Sequence, residues 1–223
     1  MNQARPPREP IGLFTALPLI WQDGGALGDE LRTDRSVHWA KAVLDQHGSA
    51  VPLDTLDGAG GLRPLGKLTR LVIAQPRVLS PAENVALDNW VRAGGRLLLI
   101  VDPAYTEESV YPLGDPRRPP AAAMLSPILT HWGLELQFDE NQPLAVRTRT
   151  VMGVSLPTLL AGRFATRGQG NCKLWDDGLA VTCAIGKGRV LAVADAALLE
   201  RDDPAGAGAK AFSALLDSAF LVR

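Results

Sequence analysis

Three features of the 223-residue sequence predict an α/β fold, a single domain with a mostly parallel central sheet flanked by helices and a C-terminal β-hairpin. Short apolar runs of strand length recur at residues 11–16, 68–74 and 96–101, without the alternation of a half-exposed strand, as strands buried on both faces require. Between the last two lies a well-capped helix, and strand, helix, strand with short connections implies a right-handed crossover and a parallel pair. The composition, 46% hydrophobic and 21% charged with a net charge of −1, is that of a globular chain with a full core. It lacks the basic footprint of a nucleic-acid-binding protein.

Residues 1–9 are rich in Pro and Arg and read as a disordered lead to a domain over 10–223. They lack the organisation of a signal peptide. The apolar run 11–21 is eleven residues long, contains Gly12 and Pro18, and falls short of the roughly 20 residues that span a bilayer, so it reads as a buried first strand. A glycine-rich loop follows at 23–29. Residues 36–47 carry Val37, Ala40, Val43 and Leu44 at helical spacing, closed by Gly48. Residues 50–54 form a second strand, kept near an edge by Pro52. After an irregular stretch at 57–66 comes the third strand, 68–74.

Ser80-Pro81-Ala82-Glu83 matches a capping box with proline at the first helical position. The helix runs through Val85, Leu87, Trp90 and Val91 and stops at Gly94-Gly95, and the central strand ends at Asp102. Residues 103–120 carry five prolines and read as a long ordered loop across the carboxyl ends of the strands, opening an irregular insertion at about 103–175. Within it a helix is expected over 124–132 and a strand over 134–138, with 142–174 mixed. Residues 179–185 and 189–194, joined by Gly186-Lys187-Gly188, read as the hairpin, and a helix over 207–220 packs back on the sheet.

In an open parallel sheet, ligands bind outside the carboxyl ends of the strands. That rule nominates Thr15 and Leu17 after the first strand, Gln75 and Arg77 after the third, Asp102 and Tyr105 after the central one, and Asp195 after the last. Against it stands a structural role, in which Asp102 and Asp195 cap nearby backbone amides as turn aspartates do. Arg117-Arg118, set between Asp115-Pro116 and Pro119-Pro120, offers two guanidiniums to a carboxylate or phosphate, or else to Asp102, Glu107 or Glu108. His38, His47 and His131 lack metal-ligand spacing, so no metal centre is expected. Cys172 and Cys183 indicate neither a zinc site nor a disulfide framework and suit a reducing compartment, with Cys183 a small core residue. No strained Ser or Cys turn and no phosphate-cradling glycine loop is present, so neither nucleophilic catalysis nor nucleotide binding has a motif.

Residues 76–83, the helix through Asn89-Trp90-Val91-Arg92-Ala93-Gly94-Gly95 and the strand ending Val101-Asp102-Pro103 resemble the core of class I glutamine-amidotransferase-like domains, which are flavodoxin-like. Residues 186–195, ending in Asp195, resemble the glycine-rich hairpin and terminal strand of a non-catalytic subgroup, found in gliding-motility-type ABC transporter auxiliary components and intraflagellar-transport domains. The resemblance covers roughly half the chain and implies a bacterial, transport-associated module. Active amidotransferases place a nucleophilic Cys just after the central strand. Asp102-Pro103 stands there in this chain, so the triad carries over to no residue.

The expected function is therefore a non-catalytic binding or scaffold module in the cytoplasm. It would hold a protein segment or a small anionic ligand at the strand ends, through Thr15, Gln75, Arg77, Asp102, Tyr105, Arg117, Arg118 and Asp195. No cofactor, nucleic acid or membrane span enters this reading. The alternative is a hydrolase with Asp102 or Asp195 as general base and Arg117 or Arg118 stabilising developing charge. Trp21, Trp39 and Trp175 are candidates for a homodimer interface.

Overall fold

The computed structural model describes residues 9–20, 38–58, 64–168, 170–200, 203 and 206–221. Residues 1–8 of the N-terminal lead, the loop at 23–29, Trp21 and the expected start of the first helix at residues 36 and 37 lie outside the described residues.

The central sheet has seven strands. In chain order these are β1 (Ile11–Thr15), β2 (Ala50–Pro52), β3 (Arg70–Ala74), β4 (Arg96–Ile100), β9 (Cys172–Trp175), β10 (Ala180–Ile185) and β11 (Gly188–Val193). Their spatial order is β2-β1-β3-β4-β11-β10-β9. The first five run parallel, and β10 pairs antiparallel with both β11 and β9. The expected mostly parallel sheet with its C-terminal hairpin is thus observed, and Pro52 sits on an edge strand, where its missing N–H costs no ladder bond. Strand order reverses at β1, which has β2 on one side and β3 on the other, so the crevice rule points to the ends of β1 and β3.

Helices α1 (Trp39–His47) and α4 (Ala207–Phe220) cover one face; α2 (Pro81–Arg92) and α3 (Ser126–His131) cover the other. β4 explains why both faces must be covered. Leu98 and Ile100 join the core containing Leu44, Phe212 and Leu216, whereas Leu97 and Leu99 join the core containing Leu87, Val91 and Ile128. Period-two alternation carries successive side chains to opposite faces, and each is apolar because each face meets a helix. Truncating any of them to alanine costs about 2–5 kcal/mol.

The capping box forms as the sequence predicts. The Ser80 hydroxyl accepts the Glu83 N–H at 3.1 Å, and Glu83 Oε2 accepts the Ser80 N–H at 2.8 Å. The β10–β11 turn rests on the far end of this helix, with Lys187 N–H donating to Arg92 O at 3.0 Å. A Cβ at Gly188 would stand 1.9 Å from Val91 O, so this glycine serves close approach to the helix.

The insertion contains more regular structure than the sequence suggests. β5 (Leu134–Gln137) pairs antiparallel with β8 (Arg163–Thr166), and β6 (Arg147–Val151) forms a hairpin with β7 (Val154–Thr158). Val151 and Leu156 from that hairpin enter the core beside α4. The cysteines also depart from expectation. Cys172 on β9 stands opposite Cys183 on β10, and the two form a disulfide. Disulfides persist in oxidising surroundings, so the reducing compartment inferred from the cysteine count no longer follows. Among the described residues no helix is long and apolar enough to cross a membrane.

Candidate functional site

Asp102 and Asp195 each stand two residues beyond a strand end, and β4 and β11 pair with Ile100 opposite Val193, which brings the two carboxylates side by side. Both are buried. Asp102 Oδ1 accepts the Ala104 N–H at 2.7 Å, and its Oδ2 accepts the Ala196 N–H at 3.1 Å. Asp195 Oδ1 accepts the Ala197 N–H at 2.7 Å, and its Oδ2 accepts the Leu159 N–H at 2.8 Å. Each aspartate thus closes its own turn with one oxygen and reaches a second segment with the other. Burial, opposed by the two N–H donors, raises the Asp102 carboxyl to about 6. Burial, reinforced by the charge of Asp102, raises Asp195 to about 8.

Gln75 completes the lacing. Its side-chain amide donates to Asp102 O at 3.1 Å and to Pro120 O at 2.9 Å and accepts the Asp102 N–H at 2.8 Å. It is fully buried, with a left-handed φ of 36° that a non-glycine residue keeps only when its surroundings dictate it. Thr15 donates its hydroxyl to Ala74 O at 2.6 Å and accepts the Leu17 N–H at 2.9 Å. The ends of β1, β3, β4 and β11 are therefore tied to one another by side chain–backbone bonds. Residues 103–120 return to the same point, with Tyr105 N–H bonded to Ala121 O at 2.8 Å and Ala123 N–H to Asp102 O at 2.8 Å. They form an excursion pinned at its base.

The remaining nominated residues have other partners. Arg77 forms a fork with Glu83 at 2.8 and 2.9 Å, donates to Asp54 O at 2.7 Å and lies over the Phe14 ring. That hydrogen bonding holds the Glu83 carboxyl down at about 2 despite its burial. The Tyr105 hydroxyl donates to Glu107, and burial first, then that carboxylate, raises its pKa well above the ordinary phenol value. Arg117 pairs with Asp115 at 2.8 Å over the Tyr111 ring, and Arg118 donates to Tyr111 O at 2.7 Å. Both arginines thus bond within their own loop. Of the tryptophans considered for an interface, Trp39 packs edge-on against Phe212, and Trp175 donates to the Thr182 hydroxyl at 3.1 Å.

A second region was not nominated by the sequence. A cavity of about 720 Å³ opens between the β5–β8 pair, β6 and the β9–β10 turn. That is within the roughly 300–1,000 Å³ of small-molecule sites. Its polar lining includes Glu135, Asp139, Gln142, Arg149, Arg163, Asp176 and Asp177, and Leu136, Phe138 and Leu179 add apolar surface. The turn that supplies Asp176 and Asp177 is fixed by Gly178, where φ is 86° and a Cβ would meet Phe164 O at 2.3 Å. Arg149 Nε donates to Asp176 at 2.9 Å, Arg163 to Gln137 Oε1 at 3.1 Å, and Gln142 to Ala161 O at 2.9 Å. The two regions share a wall. Leu159 N–H is held by Asp195, and Gly162 N–H by Ala194 O at 2.7 Å, so residues 159–162 hang from the end of β11.

No protein-family model and no curated protein matches the chain. Similar solved structures include an exo-β-1,4-mannosidase of Opitutaceae bacterium strain TAV5, 16% identical with a TM-score of 0.53, the match covering 98% of this chain and 37% of that enzyme. A cytoplasmic protein of Salmonella typhimurium is 11% identical with a TM-score of 0.55, the match covering 94% of this chain and 96% of that one. A putative ThuA-like protein of Bacteroides uniformis is 11% identical with a TM-score of 0.46, covering 99% and 93%. This chain thus spans little more than a third of the mannosidase. The likenesses to the mannosidase and the Salmonella protein establish the α/β fold and nothing finer. They also correct the resemblance to the non-catalytic glutamine-amidotransferase-like subgroup, because the matching solved structures include the mannosidase and the Salmonella protein. The residues that suggested that subgroup are a capping box, a helix stop and two turn aspartates, features that any parallel α/β sheet uses.

Proposed function

We propose that this chain is a non-catalytic binding module that takes a small molecule in the cavity beside β5, β6 and β8, while the carboxylates at the strand ends hold that cavity's wall in place. One observation carries the reading: Asp102 and Asp195 are buried and every one of their carboxylate oxygens accepts a backbone N–H group, so neither aspartate presents a group to a substrate. A general base has to reach the proton it removes. Four carboxylates against two guanidiniums in the lining also argue against the small anionic ligand expected from the sequence. A heteronuclear NMR titration with a library of small polar compounds tests the reading. Shifts confined to the backbone amides of Phe138, Gly162 and Asp177 support it, and shifts centred on Gln75, Asp102 and Asp195 overturn it.

The raised carboxyls of Asp102 and Asp195 favour a second reading, a hydrolase working at the strand ends. It requires turnover of a chromogenic ester or glycoside that Asp195→Asn abolishes while the protein stays folded. A cytoplasmic location agrees with the name of the Salmonella neighbour, whereas the Cys172–Cys183 disulfide fits an oxidising compartment. Thiol trapping in intact cells decides between them.

A further inference from the structure

We propose, resting on the binding-module reading, that the ligand of the 720 Å³ cavity is a neutral saccharide. The choice follows from the hydrogen-bonding character of the lining. The lining combines donors and acceptors. Arg163 bonds Gln137 through one Nη and has further guanidinium donors, and Gln142 uses its amide nitrogen on backbone carbonyls and keeps its amide oxygen as an acceptor. Asp139 and Asp177 supply carboxylate acceptors, Asp139 held ionised by the backbone N–H of Asn141.

An anion entering this space would meet the carboxylates of Asp139, Asp176 and Asp177. A polyamine would set its ammonium groups beside the guanidiniums of Arg149 and Arg163, which are bonded to Asp176 and Gln137 and hold their positions. A sugar hydroxyl both donates and accepts, so a neutral polyhydroxyl ligand can hydrogen-bond guanidinium, amide and carboxylate together without bringing a like charge beside any of them. Phe138, 38% exposed, lines the cavity together with Leu136 and Leu179, and these apolar side chains suit the C–H face of a pyranose ring. The lining is also pre-positioned, through Gly162 N–H to Ala194 O and the Arg149–Asp176 bond, which lowers the ordering cost of binding.

The test is a set of parallel NMR titrations of the full chain with the neutral disaccharides cellobiose, maltose and lactose, with spermidine and with inorganic phosphate. The proposal predicts that a disaccharide shifts the amides of Phe138, Gly162 and Asp177. Arg163→Ala and Asp177→Asn, both on exposed side chains and the latter a residue that keeps the left-handed φ of 53° at this turn, should leave the melting temperature unchanged and each weaken that binding about tenfold or more, the worth of a hydrogen bond to a charged group. Shifts of the same amides by spermidine or phosphate alone would overturn the saccharide assignment and leave the binding module standing. Shifts by none of these probes, or shifts centred on Gln75 and Asp102, would overturn both.

Discussion

The strand ends and the inserted cavity both gather carboxylates, yet they dispose of them in opposite ways. At the strand ends the polar groups turn inward: Gln75, Asp102 and Asp195 are buried and bonded to backbone on every side. In the cavity, Asp139, Arg163 and Asp177 stand at an open surface with hydrogen-bonding capacity toward the space they enclose. The difference teaches that a raised carboxyl at the position favoured by the crevice rule is not in itself a reactive group. Where its hydrogen bonds go decides the matter.

Substitutions sharpen that contrast, starting at the strand ends. Gln75→Leu removes three hydrogen bonds, two of them buried, and leaves the Asp102 N–H unpaired, and should cost about 3–5 kcal/mol in a urea unfolding experiment. Reducing Cys172–Cys183 frees the edge strand β9 and should lower stability by about 3 kcal/mol on the chain-entropy view of a short loop, read as a melting-temperature drop in reductant. Arg77→Ala leaves Glu83 buried without its cation, but Arg77 is itself half exposed, so about 2 kcal/mol is expected, short of the full penalty for a buried pair. Arg163→Ala and Asp177→Asn, on the open side of the cavity and the latter compatible with the left-handed φ of 53° at that turn, should each change stability by less than about 0.5 kcal/mol. A larger loss there would mean that the cavity too is held together by its polar lining.

The two regions also differ in how readily the sequence discloses them. The strand ends were legible, because apolar runs fix where β1, β3 and β4 stop and the residues just beyond are named by position alone. The role of those residues was only partly legible. A turn aspartate that caps its own amide two residues on is visible in sequence, but the bonds from Asp102 to Ala196 and from Asp195 to Leu159 join segments 94 and 36 residues apart. The cavity was missed because its walls are short strands with exposed faces. Arg147-Thr148-Arg149-Thr150 alternates two polar types, and an apolar-periodicity test sees nothing there, although Met152-Gly153 sits where a two-residue hairpin turn belongs. Asp177-Gly178 was an equally available turn signal between β9 and β10. Recognising it would have set Cys172 opposite Cys183 and disclosed the disulfide.

The pH dependence of stability follows from the same carboxyls. Asp102 and Asp195 have folded-state values of about 6 and 8, above the roughly 3.9 of an unfolded aspartate, so the folded chain holds more protons between pH 4 and 8. Their contribution is complete below about pH 4 and is lost as pH rises through 6 and then 8. Glu83 acts in the opposite sense, its contribution being present above about 4.5 and lost as pH falls toward 2. Asp195→Asn should flatten the alkaline loss.

The most direct measurement is the unfolding free energy of Asp195→Ala at pH 5, where the carboxyl of Asp195 is protonated in the folded chain and no buried charge confuses the comparison. A structural clasp predicts a loss of about 2–4 kcal/mol, because the Leu159 and Ala197 N–H groups lose their acceptors. A variant as stable as the parent, or more stable, would contradict the clasp and return Asp195 to the role of a strained functional group.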